Sequence, residues 1–197
     1  RFRHEERFES NFVDLINAGR GNGHVNFNAD IDGVVRRIHL FSEFNNHLYP
    51  SLSFKMYMDL IGADSIAVNE AGNFELFRQG ETISNIPVDS RGNMLINYAG
   101  GYKTFRYIPF YDVLKQRVPG GFFNNKIVFV GTSLAGLFDL RNVPFMQTFP
   151  GVEIHTNILY TLLKQDFVRP LSGLTTFLIM AAFGIIMGIV LSLSLIH

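Results

Sequence analysis

Residues 126–157 read KIVFVGTSLAGLFDLRNVPFMQTFPGVEIHTN. The run Ile127-Val128-Phe129-Val130 is apolar and β-branched, bounded by Asn124-Asn125-Lys126 before it and Gly131 after it. Such a run reads as a strand buried on both faces. A polar loop with Thr132, Ser133 and Asp139 follows. Pro150-Gly151 then opens a helix whose first turns carry Glu153, His155 and Asn157. Ligands of open α/β sheets sit beyond the carboxyl ends of strands, near helix N-termini. This stretch is therefore expected to be the centre of the core and the first place to look for a site.

Working outward, Val152, His155, Ile158, Leu159 and Leu162 form an apolar helical stripe. Residues 165–169 then lead directly into a segment with no charged residue from Leu174 to Ile196. As a helix this segment is roughly 35 Å long, enough to cross a hydrocarbon core of about 30 Å. Arg169-Pro170 marks its entry, since proline is tolerated at a helix start. Gly184 and Gly188 have the spacing that lets membrane helices approach closely, which is compatible with a homodimer. Only one flank of the span is visible, so the positive-inside rule does not orient it.

The 197 residues suit one domain plus this span, and a chain starting at Arg1 reads as a piece of a longer protein. Lysine plus arginine equal aspartate plus glutamate at 17 each, and no basic run points to nucleic acid. The absence of cysteine removes disulfides and thiolate metal sites. Twenty phenylalanines and no tryptophan predict a Phe-rich core.

In the N-terminal half, Phe8, Phe12, Leu15 and Ile16 share a helical face that ends at Gly19, and residues 21–23 read as a flexible link. A strand at 24–27, a turn at 28–33 and a return strand at 34–44 follow from Asp32-Gly33 between apolar runs. Alternation along the return strand places Val34, Arg36, Ile38 and Leu40 on one face. A guanidinium among apolar neighbours needs a carboxylate or a ligand. A helix with Leu52, Met56, Leu60 and Ile61 inward is expected to close at Gly62. Short strands follow within 65–77 and 81–88, turning at Gln79-Gly80. A second tight turn at 89–92 leads into a strand at 94–98. Residues 107–118 read as a short apolar helix begun by Pro109.

Chemical motifs are few. Asn28, Asp30 and Asp32 imitate the start of a calcium loop, but the twelfth position is His39 and the flanks are strands, so a hairpin turn is the better reading. Glu153, His155 and Asp139 match no zinc signature. Residues 131–136 fit neither a phosphate loop nor a nucleophile elbow. The reading calls for no cofactor and no metal.

Taken in order, several motifs resemble one family: Gly23-His24-Val25-Asn26 with Asp30-Ile31-Asp32-Gly33-Val34-Val35-Arg36-Arg37, then Tyr49-Pro50-Ser51-Leu52, Ile96-Asn97-Tyr98, Lys126 to Thr132 with Asp139 and Pro144, and Pro150-Gly151-Val152-Glu153-Ile154-His155-Thr156-Asn157. Together, over residues 23–170, they resemble the second subtype of the CHASE domains, the extracellular sensors associated with cyclases and histidine kinases. The resemblance implies a bacterial receptor anchored in the cell membrane, whose cytoplasmic cyclase or kinase lies outside this chain. It also implies that the first strands of the family's sheet lie outside the chain.

The expected architecture is α/β, a mixed sheet with flanking helices, followed by a transmembrane helix. Residues 1–170 form the extracytoplasmic sensor domain and 171–197 the span. The partners are the membrane and a signal ligand or protein. The expected ligand-binding residues are Asp32, Arg36, Asn97, Asp139 and His155. In the structural alternative, Arg36 pairs with Asp139 or Glu153 and the set holds strands together. The rival class is an anchored hydrolase using His155 with Asp139 or Ser133, which requires those groups within reach in an open pocket. A structural envelope protein is the third reading.

Overall fold

Asp or Asn followed three residues later by Gly occurs five times in the sequence, and three of these sites, at Asp30, Asn69 and Asp89, fold alike. Each glycine N–H donates to the carbonyl three residues back at 2.9 Å. Gly33, Gly72 and Gly92 take φ of 78, 80 and 77°, a conformation costly for a residue with a Cβ. The first residue of each turn then donates its N–H to the carbonyl just beyond the glycine. This is the type I turn closed by a left-handed residue that joins short antiparallel arms.

The computed structural model describes residues 3–4, 13–133 and 140–196. Strand β1 (Arg3–His4) precedes α1 (Val13–Ala18), β2 (Arg37–His39), β3 (Phe41–Phe44) and β4 (His47–Pro50). Helix α2 (Leu52–Ile61) leads to β5 (Ser65–Val68), β6 (Phe74–Arg78), β7 (Glu81–Ile86) and β8 (Asn93–Leu95). After α3 (Phe110–Leu114) come β9 (Leu140–Val143), β10 (Met146–Pro150), α4 (Gly151–Lys164) and α5 (Gly173–Ile196). The strands form small sheets ordered β1-β3-β4, β2-β8, β5-β6-β7 and β9-β10. The α/β class and the C-terminal apolar helix are as expected, with several small sheets in place of one.

The turns explain the pairing. The Asp30 turn feeds β2 and the Asp89 turn feeds β8, and these strands pair antiparallel with Ile38 opposite Met94. The Asn69 turn joins β5 to β6. Gln79-Gly80, both at positive φ, joins β6 to β7. Asn45 and Asn46, also both left-handed, close β3 on β4. Helix α2 ends at Gly62 in the left-handed conformation, as its sequence predicts.

The core lies between α2, α4 and these strands. Ile38, Leu40, Phe54, Leu76, Ile86, Phe149, Ile154, Ile158 and Leu162 are fully buried. It is more aliphatic than the composition suggests: among the described residues only Phe54, Phe74 and Phe149 are buried phenylalanines.

Several expectations are corrected. Residues 127–130 form no strand, and Ile127, Val128 and Val130 are 44, 49 and 80% exposed. An apolar run becomes a strand only when a neighbour completes its ladder. No described strand pairs with it, and only Phe129 reaches the core. The presumed loop after it contains the β9–β10 hairpin. The return strand at 34–44 is broken, because Val35 donates its N–H to Asn142 O at 2.7 Å and turns inward. Burial then falls on Val35 and Ile38, three residues apart, so Arg36 is not enclosed by apolar neighbours. Helix α2 buries Ser53, Phe54 and Tyr57, while Leu60 is exposed. Helix α3 buries nothing. Phe8 and Phe12 lie outside the described residues.

Residues 21–23 are no flexible link at their last position. His24 N–H donates to Pro50 O, and Leu52 N–H donates to His24 O, both at 2.9 Å. A Cβ on Gly23 would lie 2.5 Å from Leu52 Cα. Gly23→Ala is therefore expected to lower stability by about 2–3 kcal/mol, as overpacking does where backbone must move. A Cβ on Gly21 meets only the movable end of Lys55. Urea unfolding of the detergent-solubilised chain should separate the two alanine variants, and equal midpoints would refute the close-approach argument.

Candidate functional site

Helix α4 follows Pro150, whose φ of −63° and ψ of 133° hold the entry extended. Glu153 in its first turn suits the positive end of the helix dipole. The residues at i, i+4 and i+8, Glu153, Asn157 and Thr161, lie on one face. All three are buried. They hold a segment that runs antiparallel to the helix. Thr161 Oγ1 donates to Asn97 O at 3.1 Å, and Asn157 Oδ1 accepts Ala99 N–H at 2.9 Å. Glu153 Oε2 accepts Lys103 N–H at 3.3 Å and Tyr107 OH at 2.7 Å. Burial and the Glu153 carboxylate both push the Tyr107 phenol above its ordinary pKa. Residues 97–107 are thus clasped along α4 by its polar stripe.

The clasp extends to the C-terminal end of α4. Asn97 Nδ2 donates to Asp166 Oδ2 at 3.0 Å and to its carbonyl at 3.2 Å, just beyond the left-handed Gln165 that ends α4. Tyr98 OH donates to Val35 O at 2.9 Å, tying the same segment to the sheets. At the other end, the chain at Gly131 crosses α4 so closely that a Cβ there would lie 2.7 Å from Val152 Cβ.

His155 points instead to α2. Ser53 Oγ lies 3.0 Å from its Nδ1 and donates to its carbonyl at 2.8 Å. The Phe27 ring is 4.5 Å away and Val25 O is 3.4 Å from Nε2. Burial lowers the imidazole pKa to about 4, against the opposing bond to Val25 O.

A second polar assembly joins the Asp30 and Asp89 turns. Arg36 donates to Asp32 at 2.6 and 2.9 Å and to Asp30 at 3.1 Å. Arg37 Nε lies 3.2 Å from Asp30, and its Nη1 lies 3.3 Å from Asp89. Arg36 lowers the Asp32 carboxyl pKa to about 2, helped by Val34 N–H. At Asp89, burial pushes the carboxyl up, but bonds from Asn93, Arg91 N–H and Arg37 outweigh it and leave the group below its ordinary value.

The structure thus brings together two of the five sequence-derived site residues, Asp32 and Arg36. Asn97 belongs to the clasp and His155 to the α2–α4 contact. Asp139 lies outside the described residues. Arg36 finds its carboxylates in its own turn, and Glu153 is taken by Tyr107 and Lys103. Sequence reading missed the polar stripe of α4, because polar residues at helical spacing usually mark a solvated face. It also missed Arg37, which links the two turns. The hydrolase reading fails at His155, which is 4% exposed and already engaged by Ser53. A general base must reach the proton it removes.

What these features define is a small α/β module whose last helix leads, within a few residues, to a helix of membrane-spanning length. Gly173–Leu191 has the length and hydropathy to cross a bilayer, and none of it is buried against the rest of the chain. The model of the CHASE2 domain matches residues 3–195, and the chain belongs to that family of extracellular sensory domains of signalling proteins. No curated protein and no solved structure matches it.

Proposed function

We infer that this chain is the input part of a bacterial membrane receptor. Residues 1–170 lie outside the cytoplasmic membrane, α5 crosses it, and the regulated output is a cytoplasmic nucleotide cyclase or kinase. The observation that carries this reading is the path from α4 to α5. The clasp fixes α4 to residues 97–107, Asn97 holds Asp166 at the helix end, and residues 167–172 lead into the span. A signal that binds two arrangements of α4 unequally shifts their populations, and the short link passes that shift to α5.

The natural full-length protein tests this in its own membrane. Residues 1–197 have no cysteine, so Ser90→Cys adds a label site in an exposed turn, and the unsubstituted protein gives the background labelling. A membrane-impermeant maleimide is expected to label it in intact cells. A Gly-Gly-Ser insertion between Arg169 and Pro170 is expected to change basal cyclase or kinase output while leaving Ser90→Cys labelling intact. Labelling only after lysis would overturn the topology. Unchanged output in the insertion variant would overturn the coupling path.

A further inference from the structure

Residues 100–131 contain no buried side chain, although they carry Tyr102, Phe110, Tyr111, Leu114 and a run of apolar residues near the end. Phe110, Tyr111 and Leu114 are 62, 57 and 65% exposed. Exposed apolar surface gathered in one place marks an interaction face. Charge is gathered there too. Five of the chain's 17 basic residues, Lys103, Arg106, Lys115, Arg117 and Lys126, fall in this stretch, and only one of its 17 acidic residues, Asp112. All five cations are exposed. They lie over the aromatic rings: Arg117 is 5.1 Å from the Tyr111 centroid, and Arg106 and Lys126 are 4.7 and 4.6 Å from that of Phe122. Aromatic rings with lysine and arginine beside them are the composition of surfaces that rest in the lipid headgroup layer.

We propose that residues 100–131 form a basic aromatic face that docks on anionic lipid headgroups of the membrane crossed by α5. The proposal rests on the reading that α5 spans. The segment is anchored along α4, with Phe105 packed on Tyr160 at 5.9 Å between ring centroids, Tyr107 bonded to Glu153, and Gly131 against Val152. From Asp166, fixed by Asn97, the chain to Gly173 extends at most about 25 Å. A bilayer is therefore always within tethered reach, whereas a soluble acidic partner must be captured from solution, and tethering raises effective concentration strongly. Each lysine or arginine at an anionic surface shifts the docked population roughly five-fold.

The chain has no tryptophan, so single-tryptophan variants report position in nanodiscs containing brominated lipids. Three are compared: Tyr111→Trp on the face, Val68→Trp on exposed β5, and Met180→Trp in α5. With phosphatidylglycerol present, the tryptophans at 111 and 180 are expected to be quenched and that at 68 not. Phosphatidylcholine alone, or Lys115→Glu with Arg117→Glu, should remove the quenching at 111. Loss of those two cations lowers the docked population ratio by about 25-fold or more. Quenching at 180 but no more at 111 than at 68 overturns docking while leaving the spanning helix in place. A tryptophan at 111 shielded regardless of lipid charge shows that another protein surface covers the face, and also overturns it. No quenching at 180 removes the spanning reading and the proposal with it.

Discussion

Asn157→Ala is expected to destabilise the domain by about 2–4 kcal/mol, far more than its single polar side chain would suggest at a surface. Asn157 is fully buried, with Oδ1 on Ala99 N–H and Nδ2 on Glu153 O. Alanine leaves that amide without an acceptor and out of reach of bulk water, which costs roughly 1–3 kcal/mol, and removes packed volume as well. Asn157→Asp keeps the acceptor but loses the donor and places a second carboxylate one turn from Glu153, so it is expected to be no better. Thr156→Ala, which removes only a bond to the carbonyl of Val152, should stay within about 0.5 kcal/mol. Urea unfolding followed by circular dichroism gives the stabilities, and hydrogen exchange at Ala99 gives the mechanism. An Asn157→Ala variant as stable as the parent, with the Ala99 amide still protected, would show that the clasp does not hold residues 97–107.

That clasp also shows what the sequence could and could not reveal. Asp30, Asp89 and their partner glycines announced their turns, because only a few residues tolerate the left-handed position each turn requires. Gly62 and Pro150-Gly151 marked helix ends for the same kind of local reason. The charge-free run after Arg169 showed, by length and composition, a helix able to cross a membrane. Each of these is a local constraint, readable one stretch at a time. The failures are non-local. Ile127 to Val130 has the composition of a buried strand, but its state depends on a partner strand that no described segment supplies. The β9–β10 hairpin was hidden by Pro144 and by exposed Arg141, Gln147 and Thr148, which leave Val143, Phe149 and Pro150 buried and Met146 partly packed on the core. Glu153, Asn157 and Thr161 read as a wet face until residues 97–107 are laid over them. Asp32 and Arg36 stood among the five expected binding residues, with Asp139 or Glu153 as the alternative partner of Arg36. The structure pairs Arg36 with Asp32 and Asp30 instead. A one-residue change in strand phase, which reverses which side chains turn inward, explains why its surroundings differ from those expected.

Acid should loosen the other side of α4. His155 has a folded pKa of about 4, against about 6.5 for an unperturbed imidazole. The unfolded chain therefore binds a proton that the folded domain refuses. Stability from this group is complete above about pH 6.5 and is lost as the pH falls toward 4, at about 1.4 kcal/mol per pH unit within that window. The whole effect is about 3 kcal/mol, a sizeable share of a typical domain's stability. Asp32 acts in a different window. Its carboxyl titrates near 2, so its contribution is present above about pH 4 and disappears only as the pH falls through 2. Between pH 6.5 and 4.5 the slope should belong mainly to His155, and His155→Gln should flatten it while retaining polar contact with Ser53. Proton resonances of the ring, followed against pH in the detergent-solubilised chain, give the pKa directly. A ring that titrates near 6.5, or a parent whose unfolding midpoint does not move between pH 6.5 and 4.5, would refute the buried neutral imidazole. Because Ser53 and His155 join α2 to α4, protonation loosens the helix that leads to α5 on the face opposite the clasp, and stability and coupling should change together over the same pH range.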